Sequence, residues 1–359
     1  MKIAIIGLPN SGKTTVFNAL TRNVVETASF SSGRLEPNLA IVKVPDKRLP
    51  ALNEIYRPKK LTHAEVQYVD IGGFSGADKR QEVPAEVLHY IGTADALLHV
   101  VRAFEDDSVP HPLDRVDAQA DLQALDLELI FSDLMIVERR LEKLEKEISK
   151  LPTAARGSRI KERDVLKRLS EALESERPIR DIELSPEEQK VIRGYQFLSE
   201  KPVLVVVNIS ESDLGNPPDL EYVHAGSSVV FLSARVEAEL AQMDDEEAVE
   251  FLEALEIDEP ARDRVIAESY ELLGLLSFLT VGEDEVRAWT VKRGTRAPAA
   301  GGVIHSDIER GFIRAEVVPF QQLVDAGNLS AAKKKGLVRL EGKEYVVQDG
   351  DISHFLFNV

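Results

Sequence analysis

The chain has 359 residues, 43% of them hydrophobic and none of them cysteine. That is enough apolar material for two or three packed domains, and it excludes disulfides and thiolate metal sites. The net charge of −18 argues against generic nucleic-acid affinity, hence against DNA, and no run reaches the roughly 18 apolar residues that would span a bilayer. The first apolar run enters a glycine loop at once, without the basic region and cleavage site of a signal peptide, so a cytoplasmic protein with no membrane partner is expected.

Lys2-Ile3-Ala4-Ile5-Ile6 reads as a buried strand. Gly7-Leu8-Pro9-Asn10-Ser11-Gly12-Lys13-Thr14 follows, and residues 15–20 read as the start of a helix. Strand, loop and helix in this order make the phosphate-binding pattern GxxxxGK[ST]. Gly7 and Gly12 free the backbone to turn consecutive N–H groups onto an anion. The helix N-terminus adds its partial positive charge. Lys13 supplies a point charge for the β- and γ-phosphates, and the Thr14 hydroxyl is a Mg²⁺ ligand.

Residues 27–34 are polar, 40–44 (AIVKV) read as a strand, and Pro45-Asp46 as a turn. A further strand over residues 65–69 ends in Asp70-Ile71-Gly72-Gly73. A strand ending in DxxG is the second phosphate-side element of P-loop GTPases, with Asp70 holding Mg²⁺ through water and the Gly73 N–H meeting the γ-phosphate. Residues 94–104 (ADALLHVVRAF) read as the next buried strand, and 203–207 (VLVVV) as another. Between them Leu134, Val137, Leu141, Leu144, Ile148 and Leu151 make an a/d seam that Pro152 and Gly157 break. Ile160, Leu166, Leu169 and Leu173 mark a return helix, and Ser185-Pro186-Glu187-Glu188 is a capping-box start. An antiparallel helical hairpin is therefore predicted.

The strand over 203–207 ends in Asn208-Ile209-Ser210-Glu211, and residues 229–232 end in Ser233-Ala234. P-loop GTPases carry NKxD and SA at these two places, where the base is read. The predicted nucleotide contacts are thus Asn10, Ser11, Gly12, Lys13, Thr14, Thr15, Asn208, Ile209, Glu211, Ser233 and Ala234; the predicted catalytic groups are Lys13, Asp70 and Gly73. An NKxD carboxylate pairs with guanine N1–H and the exocyclic amine. Glu211 is longer by one bond of about 1.5 Å, and Ile209 replaces the usual Lys, packing on the ring without charge. Guanine loses its strongest reader and adenine loses little, so ATP is favoured over GTP, with Asn208 bonding N7 or the 6-position. Residues 240–274 read as acidic and helical. Residues 275–359 read as a small α+β domain, with strands over 287–291, 312–318 and 355–359 around one helix near 300–309.

With the P-loop, DIGG, NISE and SAR in this order, the chain resembles the YchF-type branch of the Obg family of P-loop NTPases. Residues 281–318 and the closing DGDISHFLFNV are similar to that family's TGS domain, a ubiquitin-like β-grasp. The resemblance implies an α/β fold with a mostly parallel sheet over residues 1–125 and 200–274, a hairpin over 126–199 and the TGS domain over 275–359. It implies a slow, Mg²⁺-dependent, ribosome-associated nucleotide hydrolase. The family's switch Thr is Arg34 here, its glycine-rich continuation after DxxG is missing, and Ser11 stands where Val is usual. Phe74 stands where many GTPases place a water-orienting Gln, and a phenyl ring cannot orient water. Asn10 resembles the Asn that helps hold K⁺ in some members of the superfamily. Two other readings stay open: a nucleotide-binding interaction module with little hydrolysis, and an ordinary GTPase. Residues 150–163, at the hairpin turn, carry a local net charge of +4, which points to ribosomal RNA. The rival docking surface is Lys333, Lys334, Lys335, Arg339 and Lys343.

Overall fold

The computed structural model describes residues 1–22, 37–71 and 90–358. The strands in chain order are β1 (Lys2–Ile6), β2 (Asn38–Lys43), β3 (Lys60–Thr62), β4 (Glu65–Asp70), β5 (Ala96–Arg102), β6 (Val203–Asn208) and β7 (Ser227–Leu232). One sheet has the order β2-β4-β1-β5-β6-β7, and its strands from β4 to β7 pair in parallel. All residues of β5 and β6 are buried, His99, Arg102 and Asn208 among them, as in strands covered on both faces. Asp70 and Asn208 end their strands at the same end of the sheet at which the Gly7–Gly12 loop leaves β1.

The outgoing hairpin helix is Ala118–Lys150, starting ahead of the predicted boundary because Asp117 caps it by accepting from the Ala120 N–H at 3.0 Å. It packs on the return helix Gly157–Glu174 through Ile130, Val137, Leu144, Val165, Leu166, Leu169 and Leu173. The capping box at Ser185 opens the helix Pro186–Ile192 with both reciprocal bonds formed. Asp133, wholly buried in the outgoing helix, accepts from Leu198 N, Ser199 N and Ser199 Oγ at 2.9, 2.7 and 2.6 Å. Those three bonds fasten the hairpin to the segment that leads into β6.

The chain divides into two compact units, Met1–Ala40 with Gln67–Val265 and Ile41–Val66 with Ile266–Val359. The second unit adds β8 (Leu275–Thr280), β9 (Glu285–Lys292), β10 (Phe312–Pro319), β11 (Arg339–Glu341) and β12 (Asp351–Phe357). Its sheet has the order β11-β10-β12-β8-β9-β3. The sequence reading put residues 41–66 with the N-terminal domain. Here β3 pairs with β9, and Arg48 bridges Asp46 and Asp349, so this segment groups with the second unit and gives its sheet the strand β3. The single helix expected near 300–309 is two, Ala297–Ile304 and Ser306–Arg310, divided at the extended His305. Among the described residues no helix is long and apolar enough to cross a membrane.

Candidate nucleotide site

The loop after β1 is shaped by what surrounds it. Gly7 has φ +148°, and a Cβ there would stand 2.3 Å from the Val100 carbonyl oxygen of β5. Gly12 has φ +95°, and a Cβ there would stand 2.4 Å from Asn208 Nδ2. Both positions therefore need glycine for space as well as for dihedral freedom. Gly12 is the N-cap of the helix Lys13–Thr21 and offers no side-chain cap, so the first-turn N–H groups face the loop. Ser11 is buried, and its Oγ has no partner among the described residues. Thr15 follows, half-buried, in the first helical turn.

Lys13 folds over this loop, its Nζ donating to the carbonyls of Gly7 and Leu8 at 3.0 and 2.7 Å. Burial lowers its pKa to about 8, and the nearby Asp70 carboxylate offsets only part of that shift. Thr14 Oγ1 donates to Asp70 Oδ2 at 3.0 Å. Burial raises the Asp70 pKa, against the Thr14 hydrogen bond and the Lys13 charge. Asp70 Oδ1 is buried and has no partner among the described residues. A hydroxyl, a carboxylate with one unclaimed oxygen and a neighbouring ammonium are the donor set that a hard divalent cation and a polyphosphate take. The residues present therefore fit such a metal.

Asn208 ties three loops together. Its Nδ2 donates to the Ser11 carbonyl at 3.0 Å, and its Oδ1 accepts from the Ala234 N–H at 2.9 Å. The sequence reading had this amide bond the base; here both of its ends brace protein. Ser233 caps the helix Ala234–Leu240 through Val236 N at 3.5 Å. Ile209, expected to cover the base, is 2% exposed and belongs to the apolar core beneath the loop. Its N–H donates to Leu232 O at 2.9 Å, and its side chain continues the alternation of Val203, Val205 and Val207 into that core. Glu211 is exposed at the start of a 3-10 turn. Gly73, Arg34 and Phe74 lie outside the described residues.

One part of the site escaped the sequence reading. Asn10, at φ 61°, donates from Nδ2 to the Pro110 carbonyl at 2.9 Å. The loop that carries Pro110 is held by Arg102, whose guanidinium is buried at the end of β5. It donates to the carbonyls of Phe104 and Val109 at 3.0 and 2.8 Å and lies 4.4 Å from the Phe104 ring centroid. His111 closes the same loop onto the hairpin helix through Asp121 at 2.8 Å. The available signal was an Arg closing an otherwise apolar strand: a buried guanidinium must find acceptors, and a loop of free carbonyls supplies them.

Comparison with known proteins agrees with this architecture. A family model described as "50S ribosome-binding GTPase" matches residues 2–151, and the YchF-GTPase_C model, described as a protein of unknown function, matches residues 275–358. The "Ribosome-binding ATPase YchF" of Bacillus subtilis is 44% identical over 99% of this chain and 98% of its own length. The protein of the same name from Haemophilus influenzae is 41% identical over 100% of this chain and 99% of its own. The solved structure of the Schizosaccharomyces pombe YchF GTPase superposes with a TM-score of 0.86 at 34% identity, covering 99% of this chain and 97% of that one. The whole length is matched, from the phosphate loop to the C-terminal sheet, and the chain belongs to the YchF family of P-loop NTPases.

Proposed function

We propose that this protein is a slow, Mg²⁺-dependent nucleoside triphosphate hydrolase that prefers ATP to GTP and docks on the ribosome in the cytoplasm. The observation that carries the reading is the Lys13, Thr14 and Asp70 cluster, closed over a loop that Asn208 braces. Thr14, and Asp70 through water, would hold Mg²⁺, which would supply neutralisation of the phosphate charge as the terminal phosphoryl group leaves. Lys13 adds its charge on the same side, and the loop N–H groups orient the phosphates. Asn10 keeps its Oδ1 free of the Pro110 contact, which supports K⁺ as a second cation beside the phosphates.

ATP preference rests on Glu211 and Ile209. The Glu211 carboxylate cannot take the position of a shorter Asp without moving its loop, and the side chain at 209 lies in the core instead of carrying a Lys stem over the base. The Bacillus subtilis and Haemophilus influenzae relatives are named ATPases, whereas the solved relative and the matching family model are named GTPases. Titrations of ATP and GTP side by side should give the tighter constant for ATP. Glu211→Asp should raise GTP affinity relative to ATP; an unchanged ratio would show that backbone reads the base. Ile209→Lys is no test, because it would bury an ammonium in the core. A second reading, nucleotide binding with little turnover, is favoured by Arg34 and Phe74, which lack the hydroxyl and the amide that position water in related enzymes.

Ribosome docking is supported by the hairpin turn. Of its five cations, Arg159 pairs with Glu147 and Glu162, and Arg163 with Asp164. Lys150, Arg156 and Lys161 have no carboxylate partner among the described residues and are the groups left for phosphate. Changing these three to Glu should weaken co-sedimentation with ribosomes and flatten its salt dependence by about three units. An unchanged slope moves the contact to the strip of Lys333, Lys334, Lys335, Arg339 and Lys343.

A further inference from the structure

The phosphate loop is held from two neighbouring strand ends. Arg102 closes β5 and stands opposite Asn208, which closes β6. Asn208 holds Ser11 directly, by donating to its carbonyl. The residue before it, Asn10, is held by the Pro110 carbonyl, and the loop that presents this carbonyl is tied to Arg102.

The buried Arg102 guanidinium donates to three backbone carbonyls, those of Phe104, Val109 and Asp106, at 3.0, 2.8 and 3.4 Å. Asp106 O also accepts from the Val109 N–H, at 3.1 Å, so residues 104–109 close on the guanidinium as a unit. Holding the Val109 carbonyl fixes the plane of the Val109–Pro110 peptide. The proline ring then fixes the next φ near about −65°. Only the ψ of Pro110 remains soft, and His111, buried against Asp121, anchors the chain beyond it. The Pro110 carbonyl is thereby aimed at Asn10. Asn10 needs that partner, because its φ of 61° is left-handed, a region that Asn enters at some cost. Relaxation there would turn the Asn10–Ser11 peptide within the phosphate loop.

We propose that Arg102 is a positioning residue for nucleotide binding: it sets the Pro110 carbonyl, which holds Asn10 and keeps the phosphate loop in its binding shape. The proposal rests on the reading of this loop as a triphosphate site. An apolar side chain would close β5 without the cost of desolvating a charge. What a guanidinium adds is a rigid planar fork that holds several carbonyls at set places. The pre-formed loop then binds phosphate without first being ordered. The route runs through one neutral hydrogen bond, so its loss should weaken nucleotide binding about three- to tenfold.

The test is a double-mutant cycle on the full chain, read by calorimetric titration of ATP with Mg²⁺ and by thermal melts. Arg102→Met fills the strand end without the fork, and Asn10→Ala removes the contact from its other end. Arg102→Met should bind ATP about three- to tenfold more weakly in the wild-type background and cause no further loss once Asn10 is replaced. Pro110→Gly, an exposed change that leaves β5 intact, should follow the same pattern. Any loss of melting temperature in Arg102→Met should persist in both backgrounds, whereas a side chain that only stabilises the fold would weaken ATP binding equally in both. Arg102→Lys, which keeps the charge without the fork, takes its place in the cycle should Arg102→Met not fold. Unchanged affinity in the Arg102 variant, or equal losses with and without Asn10, overturns the proposal. Wild type that binds no ATP refutes the triphosphate reading and this role with it; wild type that binds ATP while the losses are additive refutes this role alone.

Discussion

Raising the pH removes the charge of Lys13 without altering a single contact. Its Nζ is buried against two neutral carbonyls, and that burial brings its pKa down from 10.5 to about 8. A triphosphate binds the protonated ammonium far better than the neutral amine, so binding above pH 8 must take up a proton. The apparent dissociation constant should be nearly flat below pH 7, doubled at pH 8 and raised about tenfold at pH 9, following one titrating group. The terminal phosphate, with a pKa of about 6, is already ionised across that range and adds no slope of its own. Calorimetry with ATP in buffers of different ionisation enthalpy measures both the constant and the proton uptake. Uptake should be near half a proton at pH 8 and near one at pH 9, each about what a single site gives. Lys13→Arg keeps its charge at every pH used, so its affinity should be independent of pH even if it is weaker. A flat wild-type profile from pH 7 to 9, or the same slope in Lys13→Arg, would refute the reasoning.

Thr14→Ala removes the hydroxyl that donates to Asp70 and is proposed as a metal ligand, and should raise the Mg²⁺ concentration needed for tight ATP binding; an unaltered Mg²⁺ titration would exclude Thr14 as a ligand. Asn208→Ala leaves the Ser11 carbonyl and the Ala234 N–H without their partner, which should destabilise by about 2–4 kcal/mol and lower nucleotide affinity, seen by urea melts and titration. Asp133→Ala strips three donors of their acceptor and should cost about 3–5 kcal/mol in a urea melt at neutral pH. Burial raises the Asp133 pKa to about 6, above its unfolded value, so its folded form holds the proton longer. That contribution is complete below about pH 4 and is lost as the pH rises through 6, so the gap between wild type and variant should narrow over that window.

Much of the first unit was legible in the residues because its strands are local signals. β1, β5 and β6 are short, mostly apolar runs rich in Ile, Leu and Val, the pattern of strands buried on both faces. The capping box at Ser185 is a four-residue pattern and needs no distant partner. The second unit was less legible. β8 is a short apolar run directly after a helix, and periodicity alone does not separate it from one more helical turn. The pairing of β3 with β9 joins residues more than two hundred positions apart, and nothing in Lys60–Thr62 announces it. The positions of the phosphate loop followed from glycine sterics and charge, whereas the placement of Ile209 depended on register. As the residue after β6 it donates its N–H to Leu232 O and continues the alternation of Val203, Val205 and Val207, which sends it into the core rather than toward a base.

The central claim is that the Lys13, Thr14 and Asp70 cluster hydrolyses a nucleoside triphosphate. Single-turnover release of phosphate from γ-labelled ATP, with enzyme in excess and Mg²⁺ present, tests it most directly. The account predicts slow release from wild type, abolished in Lys13→Ala and faster in the presence of ribosomes. Release from wild type no faster than from Lys13→Ala, with and without ribosomes, would contradict it.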